Sequence, residues 1–444
     1  MLKILYRSAL GAGILLLAAG SAKPAGLLPP IPGAWKTWAP RPALKADADV
    51  VTEDGVPCLR LRSRGFPSYG KWTASASVRP GASYRFEVLY RTSAIASEDT
   101  SIAVIASWTS GQGKAVQRDY IDSVTQEADG WRRASRILKA PADAQSATLE
   151  LGLRWADRGS VLWKRAELSE VDAPAPRRVR VVTTRIAPAE DATVAKNLAL
   201  MAETFDRAAA EKPDLVLFTE NLVDRGVAVP LEETAQTIPG PATDMLAERA
   251  RRYKTWVATS LHEREGDLLY NTAVLIDRHG RIAGKYRKVH LATVEGERGI
   301  TPGSDYPVFD TDFGRVGMLV CWDNWFVEPA RVMRLKGAEL LLLPIAGDGV
   351  PGHWDVISRA RAIDNGVFVV SASTNASSPS RIIDPYGKVL AEASTGIASA
   401  DIDLSADSRV FWLSVGPALG DPRSLYIKER RPDTYDRLAA EPLQ

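Results

Sequence analysis

The hydrophobic pattern of this chain changes period partway along, and that change constrains the fold more than any other feature. From residue 27 to about 171, short runs alternate apolar and polar positions, as in Cys58 to Ser63, Ser83 to Tyr90, Arg133 to Leu138 and Val161 to Leu168. A period of two marks strands with one buried face, and Gly, Pro, Asp and Ser clusters between the runs mark turns. No convincing helical stripe interrupts them, so 27–171 is predicted to be a β-sandwich. Asp172-Ala173-Pro174-Ala175-Pro176-Arg177-Arg178 then reads as a semi-rigid linker. Beyond it, Val194, Leu198, Met201, Phe205 and Ala208 share one helical face, and Leu215 to Phe218 is a continuous apolar run, as in a strand covered on both sides. Strands and helices keep alternating, which predicts an α/β layered domain over 179–438. A chain of 444 residues is long enough for two such units.

Composition excludes more than it identifies. A formal charge of +2, with 45% hydrophobic and 25% charged residues, gives no reason to expect nucleic acid or an anionic membrane as a partner. Lys3 and Arg7 precede an apolar run from Ala9 to Gly20, and Gly20-Ser21-Ala22 offers small residues for cleavage. The run is too short to span a bilayer comfortably. Residues 1–26 are therefore expected to be a secretory signal peptide, sending the protein to the periplasm or beyond. The two cysteines, Cys58 and Cys321, sit in strands of different domains, so no bridge is expected. The four histidines lack ligand spacing, and no metal or cofactor is expected. Seven tryptophans fall in 27–171. Most are expected in the sandwich core, and any left exposed would offer a face for glycan contact.

Three polar residues end otherwise apolar strands. Glu220 follows Leu215 to Phe218, Lys288 follows a hairpin strand, and Cys321 follows Val316-Gly317-Met318-Leu319-Val320. Strand C-termini line the ligand crevice of α/β sheets, and a charge placed there needs a partner or a task. A thiol is mostly protonated at neutral pH, so a nucleophilic cysteine needs a base or a nearby cation.

The segments Phe218-Thr219-Glu220-Asn221, Lys285-Tyr286-Arg287-Lys288-Val289-His290-Leu291 and Gly317-Met318-Leu319-Val320-Cys321-Trp322-Asp323 resemble, in this order, the three signatures of the nitrilase superfamily, the carbon–nitrogen hydrolases. The likeness runs from Val179 to about Leu438 and takes in Tyr270-Asn271-Thr272-Ala273, Arg359 to Asn365 and Glu429 to Tyr435. It implies a four-layer αββα sandwich, a homodimer formed through helices near the nucleophile, and a small-molecule amide substrate. It also implies Cys321 as nucleophile, Glu220 as general base and Lys288 as oxyanion stabiliser. Family members often carry a second glutamate after the lysine. Glu295 and Glu297 both precede Thr301-Pro302-Gly303, and counting back from Pro-Gly favours Glu297. His290, Trp322, Asn324 and Trp325 are the expected pocket residues.

Cys321-Trp322-Asp323 departs from true nitrilases, which usually place Glu after Cys-Trp, and is similar to amidases and N-carbamoyl amine amidases. Amide hydrolysis is thus the leading expectation, with carbamoyl or nitrile cleavage by the same residues as the alternative. Acyltransferases of the superfamily resemble proteins with several membrane spans, unlike this chain. A glycan-binding envelope protein with a secondary hydrolase domain is the rival from another class.

Overall fold

The computed structural model describes residues 26–438 except 348, 349, 351, 376, 413, 414 and 417. The expected signal peptide, save Gly26, lies outside the described residues. Two antiparallel sheets form the first unit. One runs in the order Asp47–Glu53, Val56–Arg62, Ser160–Val171, Ser83–Ser93, Arg132–Lys139, Ser123–Gln126. The other begins Lys36–Trp38, Tyr69–Ser77, Ala144–Arg154, Ile102–Ser110, Ala115–Tyr120. Phe86, Trp108, Leu149 and Trp163 are fully buried in the core they share. Five of the seven tryptophans are buried (Trp35, Trp72, Trp108, Trp131, Trp163), which leaves Trp38 exposed and Trp155 half-buried. Cys58 is a buried free thiol packed on Leu89 and Trp131.

The second sheet does not stop at Ala115–Tyr120. Ala418–Gly420 pairs parallel to that strand through Leu419 and Gln117, and Val410–Trp412 pairs with Ala418–Gly420. Residues expected to stay with the hydrolase domain thus finish the sandwich sheet. Buried ion pairs fix the junction: Arg136 Nη2 to Asp421 Oδ2 at 2.7 Å and Arg409 Nε to Asp119 Oδ1 at 2.7 Å.

The α/β unit holds two six-stranded sheets face to face. Leu215–Leu217 runs parallel between Arg178–Arg185 and Trp256–Glu265 in the first. Leu340–Ile345 runs parallel between Arg315–Met318 and Phe368–Ser373 in the second. Val181, Leu217, Met318 and Leu341 belong to the apolar layer between them. The helices Val194–Ala209 and Pro241–Tyr253 cover the first sheet. Thr193 caps the former, its hydroxyl accepting from Lys196 N at 3.2 Å, and Met201, Phe205 and Ala208 form its buried face. Glu328–Leu335 and His353–Asn365 cover the second sheet through Ala330, Met333 and Ala362. Gly317 permits that approach, since a Cβ there would lie 2.6 Å from Met333 Sδ. The result is a four-layer αββα sandwich beside a β-sandwich.

Candidate active site

The C-terminal ends of these parallel strands converge. After Leu215–Leu217, Phe218 N still reaches Ala258 O at 2.8 Å, holding the chain in line until Glu220. Asn221, at φ +49°, then turns it away. After Arg315–Met318 the chain enters a short 3-10 helix, Cys321–Trp325, with Cys321 itself at φ +45°. A side chain in the left-handed region is costly, and such residues cluster at functional sites. Lys288 leaves its hairpin strand with its N–H bonded to Asn271 O at 2.8 Å. Its carbonyl accepts from Gly303 N at 2.8 Å. Gly303 is required there, because a Cβ would fall 2.2 Å from Arg287 O.

The side chains meet in a buried cluster. Glu220 Oε1 accepts from Asn271 Nδ2 at 2.8 Å and from Lys288 Nζ at 3.2 Å. Its Oε2 accepts from Ala346 N at 2.7 Å, and the Cys321 thiol lies close enough to this carboxylate for the two groups to influence each other's charge. Lys288 Nζ donates further to Glu295 Oε2 at 2.7 Å. Glu295 is held by Asn271 Nδ2 at 2.9 Å and Ala292 N at 2.8 Å. Burial pushes the Glu220 carboxyl up, but Lys288, Arg225 and Asn271 outweigh it and hold the group below the ordinary glutamate range. Burial opposes the Lys288 charge, yet Glu220 and the other anionic partners raise it well above the usual lysine value. Burial and the Glu220 charge push the Cys321 thiol well up, and Lys288 only partly offsets them. The resting state is therefore thiol, carboxylate and ammonium, with the base already ionised. A cavity of about 470 Å³ opens onto all three groups.

A family model for carbon-nitrogen hydrolases matches residues 178–407, just over half of the chain. The chain belongs to the carbon–nitrogen hydrolase family. Omega-amidase NIT2 of Homo sapiens is 35% identical over 193 residues, covering 39% of this chain and 70% of that protein. A probable nitrilase of Schizosaccharomyces pombe is 32% identical over 213 residues, covering 45% and 75%. The solved structure of an amidase from Nesterenkonia sp. aligns with a TM-score of 0.47 at 25% identity, covering 59% of this chain and 95% of that one.

Within this carbon–nitrogen hydrolase, Glu220, Lys288 and Cys321 are brought together, and the remaining expected residues divide. Glu295, not Glu297, faces Lys288, while Glu297 is exposed. The turn Thr293–Glu297 is helical, so positions two apart point to nearly opposite sides. Trp322 and Trp325 line the cavity. Asn324 does not; it is fully buried, with Nδ2 3.3 Å from Ser358 Oγ. His290 is not among the lining residues either. It stacks on Phe326, ring centroids 3.9 Å apart, and its Nδ1 lies 3.1 Å from Asp323 Oδ1.

Two positioning residues were missed from sequence. Asn271 ties the two glutamates together, and its signal was a polar residue inside an otherwise apolar strand. Asp323 is fully buried and accepts from Tyr286 Oη at 2.7 Å, His290 N at 2.9 Å and Val320 N at 3.1 Å. It locks the nucleophile turn to the segment carrying Lys288. Burial and the Asp323 charge push the Tyr286 hydroxyl well up, so it stays a donor.

Proposed function

We propose that this protein hydrolyses a small linear amide to an acid plus ammonia or amine through a thioester on Cys321. The observation that carries this reading is that Glu220, hydrogen-bonded to Lys288 at 3.2 Å, shares one cavity wall with the Cys321 thiol. Glu220 takes the thiol proton as sulfur attacks the amide carbonyl carbon, giving a tetrahedral adduct. Lys288 and the N–H of Trp322, in the first helical turn where no intrahelical acceptor exists, stabilise its oxyanion. Glu220 returns the proton to the departing nitrogen as the C–N bond breaks. It then deprotonates water, which attacks the thioester, and passes the proton to the leaving thiolate. Because the Cys321 pKa is raised, the base has to act during attack rather than before it.

The omega-amidase name of the human relative and the Asp that follows Cys321-Trp322 support an amide over a nitrile. Ammonia release from a panel of amides, carbamoyl amines and nitriles tests this, with wild type against Cys321→Ala. Amides should be the best substrates, and the variant should be inactive. Full activity in Cys321→Ala would overturn the mechanism.

We further propose export, supported by the basic start and apolar run of residues 1–26. Cell fractionation should find a shortened chain outside the cytoplasm; full-length protein retained inside would remove this reading.

A further inference from the structure

We propose that the outer face of the sheet begun by Lys36–Trp38 binds an acidic polysaccharide, a chain of sugar units that bear carboxylates. This surface belongs to the β-sandwich and stands apart from the hydrolase reading.

Strand register assembles the face. Trp72, Ala74, Leu149 and Leu151 turn into the sandwich core. The alternate positions therefore point outward: Lys71, Thr73, Ser75 and Ser77 on one strand, Ser146 and Thr148 on the next. These four serines and threonines of the floor, with Thr148, all reach solvent at least in part, and Ser75 Oγ lies 2.7 Å from Thr148 Oγ1. An apolar partner laid across the face would strip water from these hydroxyls without replacing it. A sugar chain brings hydroxyls of its own to meet them.

Trp38, Tyr69 and Trp155 border this floor, with successive ring centroids 5.8 Å and 6.3 Å apart. Lys71 Nζ sits 4.4 Å from the centre of the Trp38 ring and Tyr69 meets that ring edge-on, so the indole is held in place. It is nevertheless 45% exposed. A pyranose has an apolar C–H face and a hydroxyl edge. It can stack on a fixed, wet indole while its edge reaches the neighbouring hydroxyls.

The charge of the face selects among sugars. Lys36, opposite Thr73, and Lys71 and Arg118 stand on its open side. The one carboxylate among them is Glu150, which accepts from Lys71, Arg118 and Ser107. Where the C-terminal segment covers the same sheet, charges balance: Arg154 and Glu429 line one small pocket, and Arg409 is bonded to Asp119. The open side thus keeps an excess of positive charge, although the whole chain is nearly neutral at +2. Carboxylates spaced along a polysaccharide would meet it through charge-assisted hydrogen bonds.

Electrophoresis of the full chain through gels holding polygalacturonate, alginate or neutral hydroxyethylcellulose tests the proposal. Both uronate polymers should retard wild type several-fold more than the neutral one, and about 0.5 M salt should remove the difference. Trp38→Ala should weaken uronate binding about tenfold, whereas Trp38→Tyr, which keeps a ring, should retain most of it. Lys36→Gln with Lys71→Gln should bring uronate binding down to that of the neutral polymer. Phe411→Ala, at an exposed aromatic on the far edge of the same sheet, should bind as wild type does. Thermal melts check that each variant is folded. No retardation by either uronate polymer, retardation unchanged by Trp38→Ala in a folded protein, or equal retardation by the neutral polymer at low salt would overturn the proposal.

Discussion

Two clusters of buried charge lie in this molecule, and they differ in what borders them. Where the C-terminal segment meets the sandwich, Asp421 accepts from Arg136, Arg423 and the Ser408 hydroxyl, and Asp119 accepts from Arg409. In the hydrolase domain, Glu220 and Glu295 share Lys288 and Asn271. The carboxylates of both clusters are fully paired, although Asn271 Oδ1 in the second is buried without a donor. Only the second has a thiol beside it and a wide cavity at its edge. Burial and pairing of charge therefore do not mark a reactive centre here; a nucleophile and room for a substrate beside the pair do.

Substitutions can break or sharpen that contrast. The largest effect is expected from Cys321→Ala, which should cost at least about a thousandfold in ammonia release while melting close to wild type. Next, Lys288→Met should leave two carboxylates facing each other without their cation. A stability loss of about 3–5 kcal/mol by chemical denaturation is expected, together with loss of turnover. A wild-type denaturation midpoint would mean that Lys288 is not the partner both glutamates depend on.

Asp421→Asn should also destabilise, by about 2–3 kcal/mol at pH 7, but with kcat intact below the melting transition. Its sign with pH is fixed. Arg423 and Arg136 outweigh burial and hold the Asp421 carboxyl well below the ordinary range. Its contribution is therefore in place above the unfolded value of about 3.9 and fades as pH falls through the folded one. Melts in acid should show wild type and variant converging; a constant gap would mean that the pair does not act through its charge. The smallest pair of effects separates neighbours on one turn. Glu295→Gln should lower kcat by about ten- to a hundredfold, whereas Glu297→Gln should stay within about twofold, as expected of an exposed side chain.

Glu220, Lys288 and Cys321 were legible because each interrupts or ends an apolar strand, and a buried sheet leaves few reasons for such residues. The helix at 194–209 and the strand at 215–217 were equally plain, since their periodicities are set by burial. Glu295 was not legible. Distinguishing it from Glu297 requires knowing that residues 293–297 form a helical turn and which side faces Lys288. Asn324 and His290 looked like pocket residues because they flank catalytic ones in sequence. A 3-10 helix and a tight bend carry their side chains elsewhere. The pairing of 410–420 with the sandwich was hidden for another reason: a three-residue strand carries almost no pattern of its own, and its partner lies about 300 residues earlier.

That late pairing has a consequence for biosynthesis. The sheet begun by Lys36–Trp38 is completed by strands that leave the ribosome about 300 residues after the edge they pair with. Until then Ala115–Tyr120 presents an open edge on one side, the kind of surface that invites pairing with other chains. The nascent protein thus carries a vacancy that a much later segment of the same chain is shaped to fill.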